Sequence, residues 1–485
     1  MSNASSKSRA LVGRIAEQEE LTHALQSGRA ELVALFGRRR VGKTYLIRTF
    51  FERQLCFELT GVRDVSRAEQ LKTFARALES VTQFKHQTPR DWAEGFQQLI
   101  RYLQERLRKG RQVVFIDELP WIASRRSGFL PAFEHFWNSW GSRQNNLIVV
   151  ICGSAASWMI AKVLHQKGGL HNRVTRTMPL QPFNLQETEA FLRLRRIQLD
   201  RRQIMQIAMA VGGVPYYLDY VRKGRSAAQN IDALFFARNA PLRDEFNQLF
   251  AALFEHYERH VSVIRALAHK PSGLTRNELV AASGVPSGGN MTSILMELET
   301  SGFICRMTPF GRAERDSAYR LIDELTLFHL RWLAGKRQHT GGGDWAQIHA
   351  TPAWYAWSGY AFENLCLQQI SAIKKALGIA GVQTETSSWR HAPVNSQDRG
   401  AQIDLVIDRR DGVINLCEMK FGEDDFVIDK KYAGELRNKV QTFRRVTGTR
   451  KALFLTLVTT YGVKANDYRA ELVQNSITAD VLFDA

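Results

Sequence analysis

ELVALFGRRRVGKTYLIRTF, Glu31 to Phe50, is the stretch whose reading decides the fold. Leu32 to Phe36 is an uninterrupted apolar run, the pattern of a buried strand. It runs into Gly37-Arg38-Arg39-Arg40-Val41-Gly42-Lys43-Thr44, which fits G-x-x-x-x-G-K-[ST], and a helix is expected from about Tyr45. Gly37 and Gly42 let the backbone turn tightly, so that successive N–H groups point inward at a β-phosphate and the helix N-terminus adds its positive end. Lys43 reaches the β- and γ-phosphates, and the Thr44 hydroxyl can ligate Mg²⁺. Arg40 lies in the same turn and is counted with Gly37, Gly42, Lys43 and Thr44 among the residues expected to bind ATP. A Gly- and Arg-rich surface loop could match the pattern by chance, but the strand before it and the helix after it argue for nucleotide binding.

The other parts of an ATPase follow. Arg111 to Glu118, RQVVFIDE, is a hydrophobic strand ending in two carboxylates. Asp117 is placed to hold Mg²⁺ through water and Glu118 to polarise the attacking water. The apolar run Leu147 to Cys152 ends in Gly153-Ser154, which makes Ser154 a candidate γ-phosphate sensor. Leu170-His171-Asn172-Arg173 offers an arginine that meets the γ-phosphate within one chain or across a homo-oligomer interface, or else is a surface arginine. In Gly212-Gly213-Val214-Pro215-Tyr216-Tyr217 the glycines and proline force a bend in a helical stretch, bringing a lid over the base. Alternating strands and helices predict a parallel sheet with the nucleotide at the carboxyl ends of its strands.

Val12-Gly13-Arg14 with Glu19-Glu20-Leu21, the GRRRVGKT loop, FIDELPW at 115–121, CGSA at 152–155 and GGVPYYL together resemble the archaeal-type ATPases of the STAND branch of the AAA+ superfamily, in the version widespread in bacteria. The resemblance runs the length of the chain. It implies that Gly13 and Arg14 lie near the adenine and that Gly213 and Pro215 carry the lid's nucleotide contact.

At 485 residues the chain exceeds what one core sustains, and about three or four domains are expected. A hydrophobic share of 44% is that of a globular protein, and the net charge of +18 creates a field that attracts polyanions such as nucleic acid. The five cysteines, Cys56, Cys152, Cys305, Cys366 and Cys417, form no C-x-x-C pair, which argues against a zinc ribbon or disulfide framework. No secretory leader opens the chain, and Gln144 to Ala161, the longest charge-free run, reads as a buried strand and turn and not as a membrane helix. A soluble, cytoplasmic protein with no membrane partner is expected.

From about His260 to Leu333 the pattern becomes helix, turn, helix, wing. Thr275-Arg276-Asn277-Glu278 is a capping box, Gly284 to Gly289 a turn, and Met291, Ile294, Leu295 and Leu298 share a face of the next helix. Phe303 to Met307 and Ala318 to Ile322 form a hairpin around Pro309-Phe310-Gly311. Such winged helices often enter DNA. Here Glu297 and Glu299 are expected on the outward helix face, where phosphates repel them, although Arg312 and Arg315 of the wing suit nucleic acid. A role toward a protein partner or another domain is therefore preferred. Lys336 to Asp344, KRQHTGGGD, reads as a hinge.

The C-terminal block holds a second constellation. Ile403-Asp404-Leu405-Val406-Ile407 is a strand, Arg409 to Gly412 a tight turn, and Val413 to Lys420 the returning strand. Alternation puts Glu418 and Lys420 on one face, with Asp404 across the hairpin. Two carboxylates there make a hard oxygen site for Mg²⁺ or Mn²⁺, and the adjacent lysine can stabilise charge developing on a phosphorus. An upstream helix, Gly359 to Leu365, carries Glu363, which could face the same site, and a basic helix from Tyr432 to Arg445 carries Arg437, Lys439, Arg444 and Arg445. The alternative is a surface hairpin with outward charges. The D-x(n)-E-x-K pattern resembles the PD-(D/E)xK nuclease superfamily, although Gln402-Ile403 stand where the motif's name suggests a proline. The resemblance implies a metal site of Glu363, Asp404 and Glu418, with Asp404, Glu418 and Lys420 catalytic.

The expected architecture is a multidomain α/β chain: a P-loop parallel sheet over 1–185, a helical lid over 186–257, a winged helix over 258–335, and an α/β restriction-endonuclease-like domain over 345–485. The expected function is ATP hydrolysis coupled to a nuclease acting on nucleic acid, DNA before RNA. The alternative is a signalling or scaffold ATPase whose last domain only grips nucleic acid or a protein.

Overall fold

The computed structural model describes residues 11–165, 170, 172–254, 256–335, 344–349, 351–393 and 398–484; residues 336–343 of the expected hinge, and His171, lie outside them. The chain divides into two compact units, Met1–Pro182 and Phe183–Ala485.

The first unit is built on a five-stranded sheet, β1 (Glu31–Phe36), β2 (Leu55–Thr60), β3 (Gln112–Asp117), β4 (Leu147–Gly153) and β5 (Arg176–Pro179), in the order β2-β3-β4-β1-β5. Every pairing is parallel, as the alternating pattern predicts. All six residues of β1 and all seven of β4 are buried, since helices cover both faces. Val33, Leu35, Ile148 and Val150 pack with Leu46 and Ile47 of α2 (Lys43–Phe50) and Leu21 of α1 (Ile15–Gln26). Leu32, Ala34, Val149 and Ile151 face the other way, toward an aromatic cluster of Trp92, Phe96, Phe129, Phe133 and Phe136. Each such aliphatic side chain contributes roughly 1.5–3 kcal/mol on burial, so the sheet's centre is fixed well before any polar contact is counted. Because β4 lies between β1 and β3, the end of β4 falls between the phosphate loop and the two carboxylates after β3.

The second unit begins with helices that include α3 (Arg201–Val211) and continues into a winged helix. Its three strands, β6 (Leu274–Thr275), β7 (Ile304–Met307) and β8 (Ala318–Leu321), are ordered β6-β8-β7 and antiparallel. The Thr275 capping box opens α4 (Arg276–Ser283), with both reciprocal bonds formed. Met291, Ile294, Leu295 and Leu298 are the buried residues of α5 (Gly289–Thr300), as their spacing predicts. One expectation is corrected. Glu297 turns inward, 2.7 Å from His260 Nε2 and accepting from Ser293 Oγ at 2.8 Å, so only Glu299 of the pair is exposed. The wing tip is not free either: Phe310 N–H donates to Ser388 O at 2.9 Å, and the Phe310 ring lies 5.1 Å from that of Phe443.

After α6 (Glu324–Trp332), α7 (Pro352–Gln368) leads into a second five-stranded sheet: β9 (Thr384–His391), β10 (Ala401–Arg409), β11 (Val413–Lys420), β12 (Ala452–Thr459) and β13 (Asn475–Thr478). Its order is β13-β12-β11-β10-β9, with β9, β10 and β11 antiparallel and β11, β12 and β13 parallel. Ala361, Phe362 and Leu365 of α7 pack with Leu405, Cys417 and Met419 on one face. Ala433, Leu436 and Phe443 of α8 (Lys430–Thr447) pack with Val406, Ile414 and Leu416 on the other. Among the described residues no helix is long and apolar enough to cross a membrane.

Candidate functional sites

In the first unit the loop after β1 is held shut by its own lysine. Lys43 Nζ donates to the carbonyls of Gly37 (2.8 Å) and Arg38 (2.9 Å), so the ammonium lies across the turn where successive N–H groups converge. Gly37 is required by close approach, because a Cβ there would stand 2.2 Å from Leu180 O. Arg40 and Gly42 take φ of 71° and 95°, the left-handed turn that aims the following amides at one point and starts α2 at Lys43. Thr44 Oγ1 donates to Asp117 Oδ2 at 2.6 Å, which joins the helix start to the end of β3 where Mg²⁺ ligands are expected.

Glu118 follows with φ 49°, its N–H donating to Asp117 Oδ1 at 2.9 Å. Its Oε2 accepts from Ser154 Oγ (2.8 Å) and Ser154 N (3.2 Å). The residue expected to polarise water and the residue expected to sense phosphate are thus hydrogen-bonded to each other, a relation the sequence did not reveal. Arg14 also reaches the loop, while Gly13 is tied to the first helix. Arg14 Nη2 donates to Val41 O at 3.1 Å, and Gln18 Nε2 holds Gly13 O at 2.7 Å. Arg173 is exposed on a turn whose backbone bonds to Leu170. Gly213 and Pro215 belong to the second unit. There Phe183 N donates to Gly213 O at 2.7 Å, a Cβ on Gly213 would fall 1.7 Å from Phe183 O, and Pro215 opens the short helix Pro215–Leu218.

In the second unit the hairpin pairs Leu405 with Cys417, which sets Asp404 beside the Glu418–Met419 edge; Asp404 Oδ2 accepts from Met419 N at 2.9 Å. Glu418 is 1% exposed. Lys439 Nζ on α8 lies 2.6 Å from both of its carboxylate oxygens, Lys420 Nζ lies 3.4 Å from Oε2, and Tyr432 Oη donates to Oε2 at 3.3 Å. Burial and Asp404 raise the Glu418 pKa against the pull of the two lysines. Burial opposes the charge on Lys420, but Glu418, Asp404 and Glu363 outweigh it and raise its pKa. Glu363, from α7, is paired with Arg320 of β8 at 3.0 Å, and burial with the neighbouring Asp404 pushes its pKa up to about 7.

The expected acidic residues are therefore neighbours, but they do not form a ready cage. Among the described residues no three His, Cys, Asp or Glu side chains could hold one metal ion. The donors are hard oxygens and fit Mg²⁺ or Mn²⁺ in chemistry. In this arrangement, however, the Glu418 and Glu363 carboxylates are matched by Lys439, Lys420 and Arg320. Lys439, Tyr432 and Arg320 were not assigned to the site from sequence. The signal for Lys439 was its place in the stripe Tyr432, Leu436, Lys439, Phe443, where a lysine in an apolar register implies a buried partner. The basic helix is also less free than expected, since Arg437 pairs with Glu471 and Arg445 with Asp398.

Residues 11–221 match the family model described as an ATPase domain predominantly from Archaea. This region is an ATPase domain of archaeal type. Over 400 residues the chain is 24% identical to an uncharacterized protein of Methanocaldococcus jannaschii, covering 81% of this chain and 83% of that one. Among solved structures it is similar to a Walker-type ATPase of Pyrococcus abyssi (TM-score 0.48, 20% identity, 66% of this chain and 96% of the other). It is also similar to the ORC2 protein of Aeropyrum pernix (TM-score 0.44, 14% identity, 66% and 94%).

Proposed function

We propose that the chain hydrolyses ATP in its archaeal-type ATPase domain and couples the nucleotide state to a metal-dependent nuclease in residues 345–485 that acts on nucleic acid, DNA before RNA. A helical lid (186–257) and a winged helix (258–335) lie between the two in sequence. In the first unit, Lys43 exchanges the Gly37 and Arg38 carbonyls for phosphate oxygens, a gain because neutral acceptors give way to charged ones. Thr44 and Asp117 would hold Mg²⁺, which when bound would supply charge neutralisation on the β- and γ-phosphates. Glu118 leaves Ser154, accepts a proton from the attacking water, and frees the Ser154 hydroxyl to hydrogen-bond a γ-oxygen. Gly13 and Arg14 flank the adenine, Gly213 and Pro215 contact the nucleotide from the lid, and Arg173 reaches the γ-phosphate within the chain or across a homo-oligomer.

The nuclease reading is carried by one observation, the gathering of Asp404, Glu418 and Lys420 on one hairpin with Glu363 beside Asp404. On this reading Asp404, Glu418 and Glu363 would hold Mg²⁺ or Mn²⁺ only once the present pairs with Lys439, Lys420 and Arg320 open, and the cation would then make the scissile phosphate electrophilic. Lys420 stabilises the charge developing on phosphorus. Purified protein with either cation is expected to cut DNA. Glu418→Ala should abolish cutting and Lys420→Ala should lower it on the order of 10²–10³-fold, with ATP binding unchanged in both. No cleavage of DNA or RNA under any combination of metal and nucleotide sinks the reading. The alternative, a signalling or scaffold ATPase that binds a protein through its winged helix, is favoured by the close pairing of Lys439 with Glu418. ATP turnover that DNA does not change supports the alternative.

A further inference from the structure

The basic charge of the chain is unevenly divided. The first unit, Met1–Pro182, holds 28 Lys and Arg against 15 Asp and Glu, a net +13 out of the chain's +18. In that unit a cavity of about 550 Å³ opens at the amino ends of β3 and β4. The length of the strands, about 20 Å for six residues, separates it from the phosphate loop at the carboxyl ends of the sheet. Two helices end at the cavity, Trp92–Arg106 and Phe129–Ser139, and the turns after them form its walls. Local hydrogen bonds fix those walls. Gln112 N donates to Asn146 O at 2.8 Å, Asn146 Nδ2 to Leu107 O at 3.2 Å, and Gln144 Nε2 to Trp140 O at 3.4 Å. The last two meet carbonyls at the helix ends, which otherwise favour a cation. Arg108 is left over from that duty: it is exposed and, among the described residues, pairs with no carboxylate.

Three features of the lining point to one ligand. Trp140 is half-buried, its ring resting on that of Phe136 with centroids 5.7 Å apart, and it offers the cavity a fixed apolar plane. Gln104, Gln144, Asn145 and Asn146 present side-chain amides, which both donate and accept, as base edges do. Arg108 supplies a planar cation that matches phosphate, and among the described residues no carboxylate lines the cavity. We propose that this cavity binds one unpaired nucleotide of a single-stranded nucleic acid, with the base stacked on Trp140, its edge hydrogen-bonded to the amides and its phosphate on Arg108. A base within a duplex has its edge paired and its faces covered by its neighbours, so a duplex does not enter. The positive excess of the unit acts on every phosphate of a strand and so favours the polymer over a lone nucleotide. The site lies outside residues 345–485 and needs no cleavage by them.

The test is fluorescence anisotropy of a labelled oligothymidylate, about 12 nucleotides long, with the full chain and the phosphate loop filled by a non-hydrolysable ATP analogue. Trp140→Ala should weaken binding about tenfold, and Arg108→Ala about threefold with a shallower salt dependence. Arg76→Ala removes the same charge from an exposed helix position outside the lining and should cost less affinity than Arg108→Ala. Equal losses in the two arginine variants, or wild-type affinity in Trp140→Ala, overturn the proposal. Equally tight binding of the same sequence as a duplex, or competition by thymidine monophosphate as strong as that by the unlabelled strand, also overturns it. A measurement without substitution guards against a Trp140→Ala chain that fails to fold. Ultraviolet crosslinking of a strand carrying iodouracil to the native protein, mapped by mass spectrometry, should mark Trp140. Crosslinks found only outside the lining residues overturn the assignment.

Discussion

Lys43 in the first unit rests on two neutral carbonyls, whereas Lys439 in the second clasps a carboxylate. Both are lysines at the centre of a candidate site, and the difference between their partners sets how easily each site opens. A carbonyl that loses an ammonium is left with an ordinary unmet acceptor, a modest penalty, and an incoming phosphate more than offsets it. A carboxylate that is 1% exposed and loses this ammonium is left with only the more distant Lys420 and the Tyr432 hydroxyl to compensate a buried charge. The same holds for the acids. Glu118 is kept by a serine hydroxyl and amide, while Glu363 is kept by a guanidinium. The first site is poised for its ligand; the second is latched by its own charges.

The largest effect that could break this comparison lies in the first unit. If Glu118 is only parked on Ser154, Glu118→Gln keeps the loop, Lys43 and Thr44 intact but removes the proton acceptor. ATP binding should be retained and turnover should fall on the order of 10²–10⁴-fold, measured by phosphate release. Lys43→Ala is expected to lose nucleotide binding itself, by on the order of a hundredfold. Turnover by Glu118→Gln at the normal rate would remove Glu118 as the base.

In the second unit the matching test is Arg320→Ala. It strands Glu363 beside Asp404 in a nearly closed environment, and breaking a buried pair from one side costs about 3–5 kcal/mol. The urea midpoint of the second unit should drop accordingly, while nucleotide binding by the first unit persists at low denaturant. Arg320→Ala with Glu363→Gln should recover much of the loss, because the stranded charge is then gone. A single variant as stable as wild type would mean that the wing does not latch Glu363.

How much of this could be read in advance follows the range of each contact. The phosphate loop, the β3 and β4 ends and the Thr275 cap are local patterns, where a strand, a turn and a helix start lie within about ten residues, and the structure places them as the sequence does. The Asp404–Glu418–Lys420 hairpin is nearly as local. What the sequence hid depends on segments far apart along the chain: Ser154 on Glu118 is 36 residues away, Lys439 on Glu418 is 21, and Arg320 on Glu363 is 43. Glu297 was misplaced for the same reason, since His260, which draws it inward, comes from an earlier helix. Helical periodicity says which face is apolar, but not that a histidine on a neighbour will pull a glutamate off the outward face. The docking of the wing tip fits the preferred role toward another domain, but its partner could not be named, because nothing near Phe310 in sequence announces Phe443.

The smallest expected effect asks which unit acid weakens first. His329 on α6 stacks on Phe246 with ring centroids 4.6 Å apart, and its Nδ1 is buried with no hydrogen-bond partner. Burial lowers its pKa to about 4, with Asp244 pulling the other way and Arg265 adding to the depression. The unfolded chain takes up this proton near the ordinary value of about 6.5, well before the folded chain does. Stability is therefore fully present above that pH and is lost as pH falls through the window down to about 4. Between pH 7 and 5.5 the expected loss from this group is about 1 kcal/mol, read as a shift in the urea midpoint of the second unit. His329→Phe keeps a ring against Phe246 and removes the proton uptake, so its midpoint should change less over that interval than that of wild type. An equal shift in both proteins would show that the acid sensitivity of the second unit arises elsewhere, with the ion pairs of the latched site as the next groups to vary.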